Sequence, residues 1–179
     1  MILEDIEQLA TRNVQLIIEV AHPDVTLKYG ANIVSYCDYF IGSPSVLADY
    51  ELEIQLKEAI SKSGHRVFIP KGALWGAQDI QSMAKARKLF GVNIEMRFHP
   101  HSLKSLKGQL LNINSRVQSD PVTLYGGPIR DLCHLAPNNT NTMACAAIVG
   151  LGFDETIGQL ISDPTYALID LIYSHSLTK

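Results

Sequence analysis

Through residue 91 the chain alternates between short apolar runs and apolar residues at helical spacing. Leu3, Ile6, Leu9 and Ala10 fall on one helical face and predict a short amphipathic helix over 2–12. Val14 to Ala21 is a near-continuous apolar run, the pattern of a parallel strand covered on both faces. His22-Pro23 breaks it, and Asp24 suits the cap of a helix running from Val25 to about Ser35. Asp38 to Ser43 predicts a second strand. Asp49 caps a helix carrying Leu52, Leu56 and Ile60, which Gly64 ends. Arg66 to Pro70 predicts a third strand. The turn Gly72-Ala73-Leu74-Trp75-Gly76 follows, then a helix carrying Ile80, Met83, Ala84 and Leu89. Three βα units in succession predict an α/β fold with a parallel sheet.

After Gly91 the rhythm changes. Val92 to His99 alternates apolar and polar positions, which predicts a strand with one solvated face. The polar stretch His101–Asp120 reads as a loop. Val122 to Tyr125 predicts another strand, ended by Gly126-Gly127-Pro128, and Asn138 to Gly150 a helix rich in small residues. Thr156–Ile161 and Leu168–Ile172 read as strands. The expected boundary lies near residue 91, with an α/β half over 1–91 and an α+β half over 92–179.

Composition narrows the function classes. A formal net charge of -3 over 179 residues gives no electrostatic footprint for nucleic acid or an anionic membrane. No apolar run is long enough for a membrane span. The first residues lack the basic and apolar regions of a secretory signal, and three cysteines do not make a disulfide framework. A cytoplasmic protein with reduced thiols is the expectation.

In parallel sheets, ligands collect at the carboxyl ends of the strands. Those ends are Ala21-His22-Pro23, Gly42-Ser43-Pro44-Ser45 and Gly72–Gly76. His22 lines a ligand cleft or only caps the following helix; the sequence leaves both open. His99 and His101, two apart on a strand, share a face, but lack an acidic or cysteine ligand nearby, so no metal site is expected. Ser43 and Ser45 lack a nucleophile elbow. Trp75 is expected to pack between the two halves. Asn139-Thr140-Asn141 suits a helix cap.

These loops occur in an order that resembles the L-aspartate dehydrogenase family. The matching stretches are Glu19–Pro23, Gly42–Ser45, Gly72–Ile80, His99-Pro100, Leu124–Pro128, Ala136–Ala144 and Leu151–Asp154. The resemblance implies an oxidoreductase that converts L-aspartate to iminoaspartate with NAD or NADP, linked to NAD biosynthesis. It implies a partial Rossmann-like parallel sheet followed by an α+β domain with an open mixed sheet, commonly the dimer contact, so a homodimer is expected. Ala73 matches a position that binds the nicotinamide nucleotide, and Asn139 matches the asparagine that binds it from the second domain. Gly72, His22 and Ser43 complete the candidate cofactor set, with Asn141 and Thr142 as neighbours.

The departures are as informative. The family's G-x-G-x-x-G turn, which takes the pyrophosphate at a helix N-terminus, is absent from this sequence. So is the Asn-Pro-Ala segment that accompanies its catalytic histidine, and no catalytic residue is assigned; His175 lacks the motif. The expectation is a truncated member, inactive alone. The alternative is a non-catalytic interaction or dimerisation fragment of the same family.

Overall fold

The computed structural model describes Gln8 and residues 11–166. The helix expected over 2–12 falls mainly outside the described residues, and the strand expected at Leu168–Ile172 wholly so. The chain divides into two compact units, Met1–Pro70 and Lys71–Lys179.

The first unit runs β1 (Leu16–Glu19), α1 (Pro23–Tyr36), β2 (Asp38–Ile41), α2 (Tyr50–Ser63) and β3 (Val67–Phe68). The strands are all parallel, in the order β1-β2-β3. Local chemistry sets the helix ends. Pro23 fits the first turn of α1, where its missing N–H costs nothing. Asp49 Oδ1 accepts the Leu52 N–H at 2.9 Å at the start of α2, and Gly64 ends it in the left-handed region, both as predicted. Ile33 and Val34 of α1, Leu52 and Leu56 of α2, and Tyr39 and Ile41 of β2 are buried. Each such aliphatic side chain contributes about 1.5–3 kcal/mol of burial. The Thr26 and Tyr39 hydroxyls hydrogen-bond at 2.7 Å inside this core, and burial pushes the Tyr39 phenol up to about 12.

One expectation for this unit fails. β1 is not covered on both faces: Leu16, Ile18 and Val20 are exposed, while Glu19 is buried. Tyr39 and Ile41, on one face of β2, are fully buried, whereas Asp38 and Phe40 on the other are only partly covered.

The second unit holds α3 (Ala77–Lys85), β4 (Val92–Phe98), α4 (Gly108–Asn114), β5 (Val122–Pro128), α5 (Ile129–Leu135), α6 (Asn141–Val149) and β6 (Thr156–Ser162). Its sheet is mixed, in the order β4-β6-β5, with β4 parallel and β5 antiparallel to β6. Helix α6 is buried along almost its whole length, from Thr142 through Ala147. A helix apolar on every side belongs inside, and its small residues let α3, α5 and the sheet approach it.

The stretch read as a loop is partly helical: a 3-10 turn spans Pro100–Ser102, and α4 buries Leu110 and Asn114. Helix α5 follows Pro128 directly, and β5 runs through Gly126-Gly127-Pro128 instead of stopping before them. Trp75 is 83% exposed, not packed as expected.

Candidate functional site

In the first unit the carboxyl ends of β1 and β2 are joined through one buried side chain. Glu19 is 4% exposed, and both of its oxygens accept hydrogen bonds. Oε1 accepts the Ala21 N–H at 2.7 Å and the Ser43 hydroxyl at 3.2 Å; Oε2 accepts the Ser43 N–H at 3.0 Å. A buried carboxylate needs such donors in place of water. The backbone adds a bond from Gly42 N–H to Glu19 O at 2.8 Å. A Cβ on Gly42 would lie 2.3 Å from that carbonyl oxygen, so the approach requires glycine. Ser43 is thereby buried and fixed. His22 serves the structure: its Nδ1 accepts the Asp24 N–H at 3.2 Å and caps α1. Its ring stays largely exposed. Sequence reasoning misses Glu19, because one acid in an apolar run reads as a solvent-facing position. Its place in the Glu19–Pro23 stretch is the one signal that could have found it.

In the second unit the remaining candidates flank one helix, α6. Gly72 takes φ +60, and a Cβ there would lie 3.2 Å from Cys145 Sγ on α6. Ala73 follows it, exposed. At the N-terminal end of α6, Asn139 immediately precedes the Thr140 cap. Thr140 does not cap through its side chain; its hydroxyl donates to Ala136 O at 3.0 Å. The expected Asn/Thr cap is therefore replaced by a folded turn, closed by Asn139 N–H to Ala136 O at 3.0 Å. Asn139 Nδ2 donates to Ser102 O at 3.4 Å, and Asn138 Nδ2 to Ser105 Oγ at 2.8 Å. Asn141 and Thr142 open α6, with Thr142 buried.

Next to that turn lies an open cavity of about 700 Å³. His99, His101, Ser102, Lys104, Pro164, Thr165 and Tyr166 line it. The loop carrying the histidines is held firmly. Asn114 Nδ2 donates to Pro100 O at 3.1 Å, and Ser162 Oγ donates to Asn114 Oδ1 at 2.6 Å. Below the wall, Arg97 pairs with Asp163 and Glu95, each at 3.0 Å. The Thr165 hydroxyl and N–H, together with Arg97, hold the Asp163 carboxyl below its ordinary range.

A family profile described as "Aspartate dehydrogenase, C-terminal" matches residues 79–170. The chain belongs to the aspartate dehydrogenase family. An aspartate dehydrogenase domain-containing protein from Xenopus tropicalis is 45% identical over 91% of this chain and 58% of its own length. An L-aspartate dehydrogenase from Acinetobacter baumannii is 32% identical over 92% of this chain and 62% of its own length. The chain thus spans about three fifths of these aspartate dehydrogenase relatives. The crystal structure of an aspartate dehydrogenase from Thermotoga maritima superposes with a TM-score of 0.70 at 23% identity, covering 87% of this chain and 60% of that one. The fold of aspartate dehydrogenase, a parallel sheet and a mixed sheet, is therefore the fold found here.

Proposed function

We propose that this chain supplies the nicotinamide-binding and substrate-binding parts of an NAD(P)-dependent L-aspartate dehydrogenase. Family membership carries the reading, and the residues around α6 fit it. A nicotinamide carboxamide needs one donor and one acceptor from its surroundings. Asn139 offers both: its NH₂ makes one long bond to Ser102 O, and its Oδ1 receives no donor among the described residues. The Gly72-Ala73 turn has no side chain beyond a methyl, so its backbone is open to close approach. Ser43 and His22 stand at the strand ends of the first unit, Ser43 donating its N–H and hydroxyl to Glu19 and His22 Nδ1 accepting the Asp24 N–H.

The cofactor, when bound, accepts the hydride from the substrate Cα. The chain's own groups bind and orient. Asn139 would hold the carboxamide, and the Gly72-Ala73 turn would offer backbone groups to the nicotinamide. No residue is assigned as general acid or base. The sequence also contains no G-x-G-x-x-G turn, on which much dinucleotide affinity rests. Weak dinucleotide binding without turnover is the expected behaviour of this polypeptide.

Calorimetric titration of the purified chain with NAD⁺ and NADP⁺, beside an assay of aspartate-dependent reduction, tests this. The expected result is measurable binding, at least fivefold weaker in N139A, with no turnover. Turnover would overturn the inactivity; binding indifferent to N139A would overturn the cofactor placement.

A second reading is a non-catalytic, dimerising fragment. The exposed Leu16 and Ile18 of β1, with Val20 just beyond it, favour it. Sedimentation of the wild-type chain and I18K distinguishes the two: only a dimer seated on β1 dissociates in the variant.

A further inference from the structure

The cavity beside Asn139 belongs to no residue that the family resemblance assigned. Its chemistry selects one class of ligand. Lys104, His99 and His101 line the cavity from one segment, and Thr165 from another, its hydroxyl already donated to Asp163 Oδ1 at 2.7 Å. The two imidazoles meet edge to face, with centroids 4.9 Å apart. His99 Nδ1 accepts the His101 N–H at 3.2 Å, so in the neutral ring the proton sits on Nε2 as the donor.

No acid stands among the described lining residues, and the two acids that pair with Arg97 are engaged. Asp163 is taken up by Thr165 and Arg97, and Glu95 by Arg97. Arg97 offsets one of these two charges. A metal cation is disfavoured on two counts. Lys104 stands in the wall, and among the described residues no group of three or more His, Cys, Asp or Glu is placed to hold one. An anion with planar oxygens suits two imidazole donors and an ammonium group.

The position is also informative. Ser102 lines the cavity and its carbonyl accepts the Asn139 amide. One hydrogen bond thus links the cavity wall to the residue assigned to the nicotinamide. A substrate that gives up a hydride must lie beside that ring.

We propose that the His99–His101–Lys104 wall is the carboxylate subsite of this chain, holding the side-chain carboxylate of a small dicarboxylic amino acid. It deepens the dehydrogenase reading and rests on it. Asn139 and the His99–Ser102 loop then form one continuous surface, with the nicotinamide on the amide side and the distal carboxylate on the histidine side.

The test is an NMR titration of the purified chain carrying ¹³C-labelled histidine, with His99 and His101 assigned through H99Q and H101Q. The probes are L-aspartate, L-alanine, which lacks the second carboxylate, and sodium sulfate. L-Aspartate is expected to shift both imidazole signals saturably. L-Alanine should leave them unmoved, sulfate should bind at least tenfold more weakly, and K104Q should weaken L-aspartate at least tenfold. K104Q should leave NAD⁺ or NADP⁺ binding unchanged. Equal responses to sulfate and L-aspartate would reduce the wall to a general anion patch and overturn the proposal. So would an unchanged affinity in K104Q, or no shift while the dinucleotide still binds; each of these leaves the dehydrogenase reading standing. Binding of neither L-aspartate nor dinucleotide would overturn both.

Discussion

Replacing Glu19 with glutamine tests the architecture of the first unit's strand ends most directly. The change conserves shape and removes one acceptor. Both oxygens of Glu19 accept: one from Ala21 N–H and the Ser43 hydroxyl, the other from Ser43 N–H. Glutamine has two orientations here. If its NH₂ takes the Oε2 position, it faces the Ser43 N–H, donor against donor. If it takes the Oε1 position, it faces the Ala21 N–H, and only the Ser43 hydroxyl can turn to accept. Either way one backbone N–H loses its acceptor, at about 1–3 kcal/mol, and the remaining bonds lose their charge assistance. The expected total is about 2–4 kcal/mol. Urea unfolding followed by circular dichroism reads the loss, and the Ala21 and Ser43 amide signals report where it arises. On the proposed cofactor placement, dinucleotide affinity should fall too, because Ser43 is released. A change below about 0.5 kcal/mol, with both amide signals unmoved, would refute the reasoning.

Two further outcomes follow from burial and charge. Burial pushes Cys133 up to about 12 and Cys145 up to about 11, and Cys37 also upward, so all three thiols should resist alkylation at pH 8 in the native chain and react at once in denaturant; native-state labelling counted by mass spectrometry checks this. Asp38, held by Arg66, and Asp163, held chiefly by Thr165, titrate below the ordinary carboxylate value of 3.8 when folded, so their stabilisation is complete above that value and is lost as pH falls through the lowered one; stability measured across pH 5 to 2 should decline, and less steeply in D38N.

The βα rhythm of the first unit was legible because its signals are local. Asp49 and Gly64 mark the ends of α2 through residues within one turn of themselves. The misses have a common physical source. Glu19 is buried because β2 delivers two Ser43 donors from 24 positions away, which no local pattern encodes. Helix α4 carries Asn112, Asn114 and a following Ser115, residues that favour turns, yet it forms because Leu110 finds a buried place and Asn114 a buried bonding role. The cofactor role proposed for Asn139 was suggested only by the family resemblance; the residue types alone suited a helix cap. The cavity wall was legible only as a histidine pair; Lys104 follows it in the same segment, but Thr165 reaches the cavity from more than 60 positions later.

The strand order of the second unit has a consequence for how it is made. β6, the last of the described strands, sits in the middle of its sheet, and Val92 waits for Thr156, about 64 positions later. During synthesis, β4 and β5 emerge without a mutual partner and their ladders stay open until β6 leaves the ribosome. Such distant pairing slows folding. The second unit should therefore acquire protease resistance abruptly, only after residue 162 is exposed, whereas β1, β2 and β3 can pair as they appear.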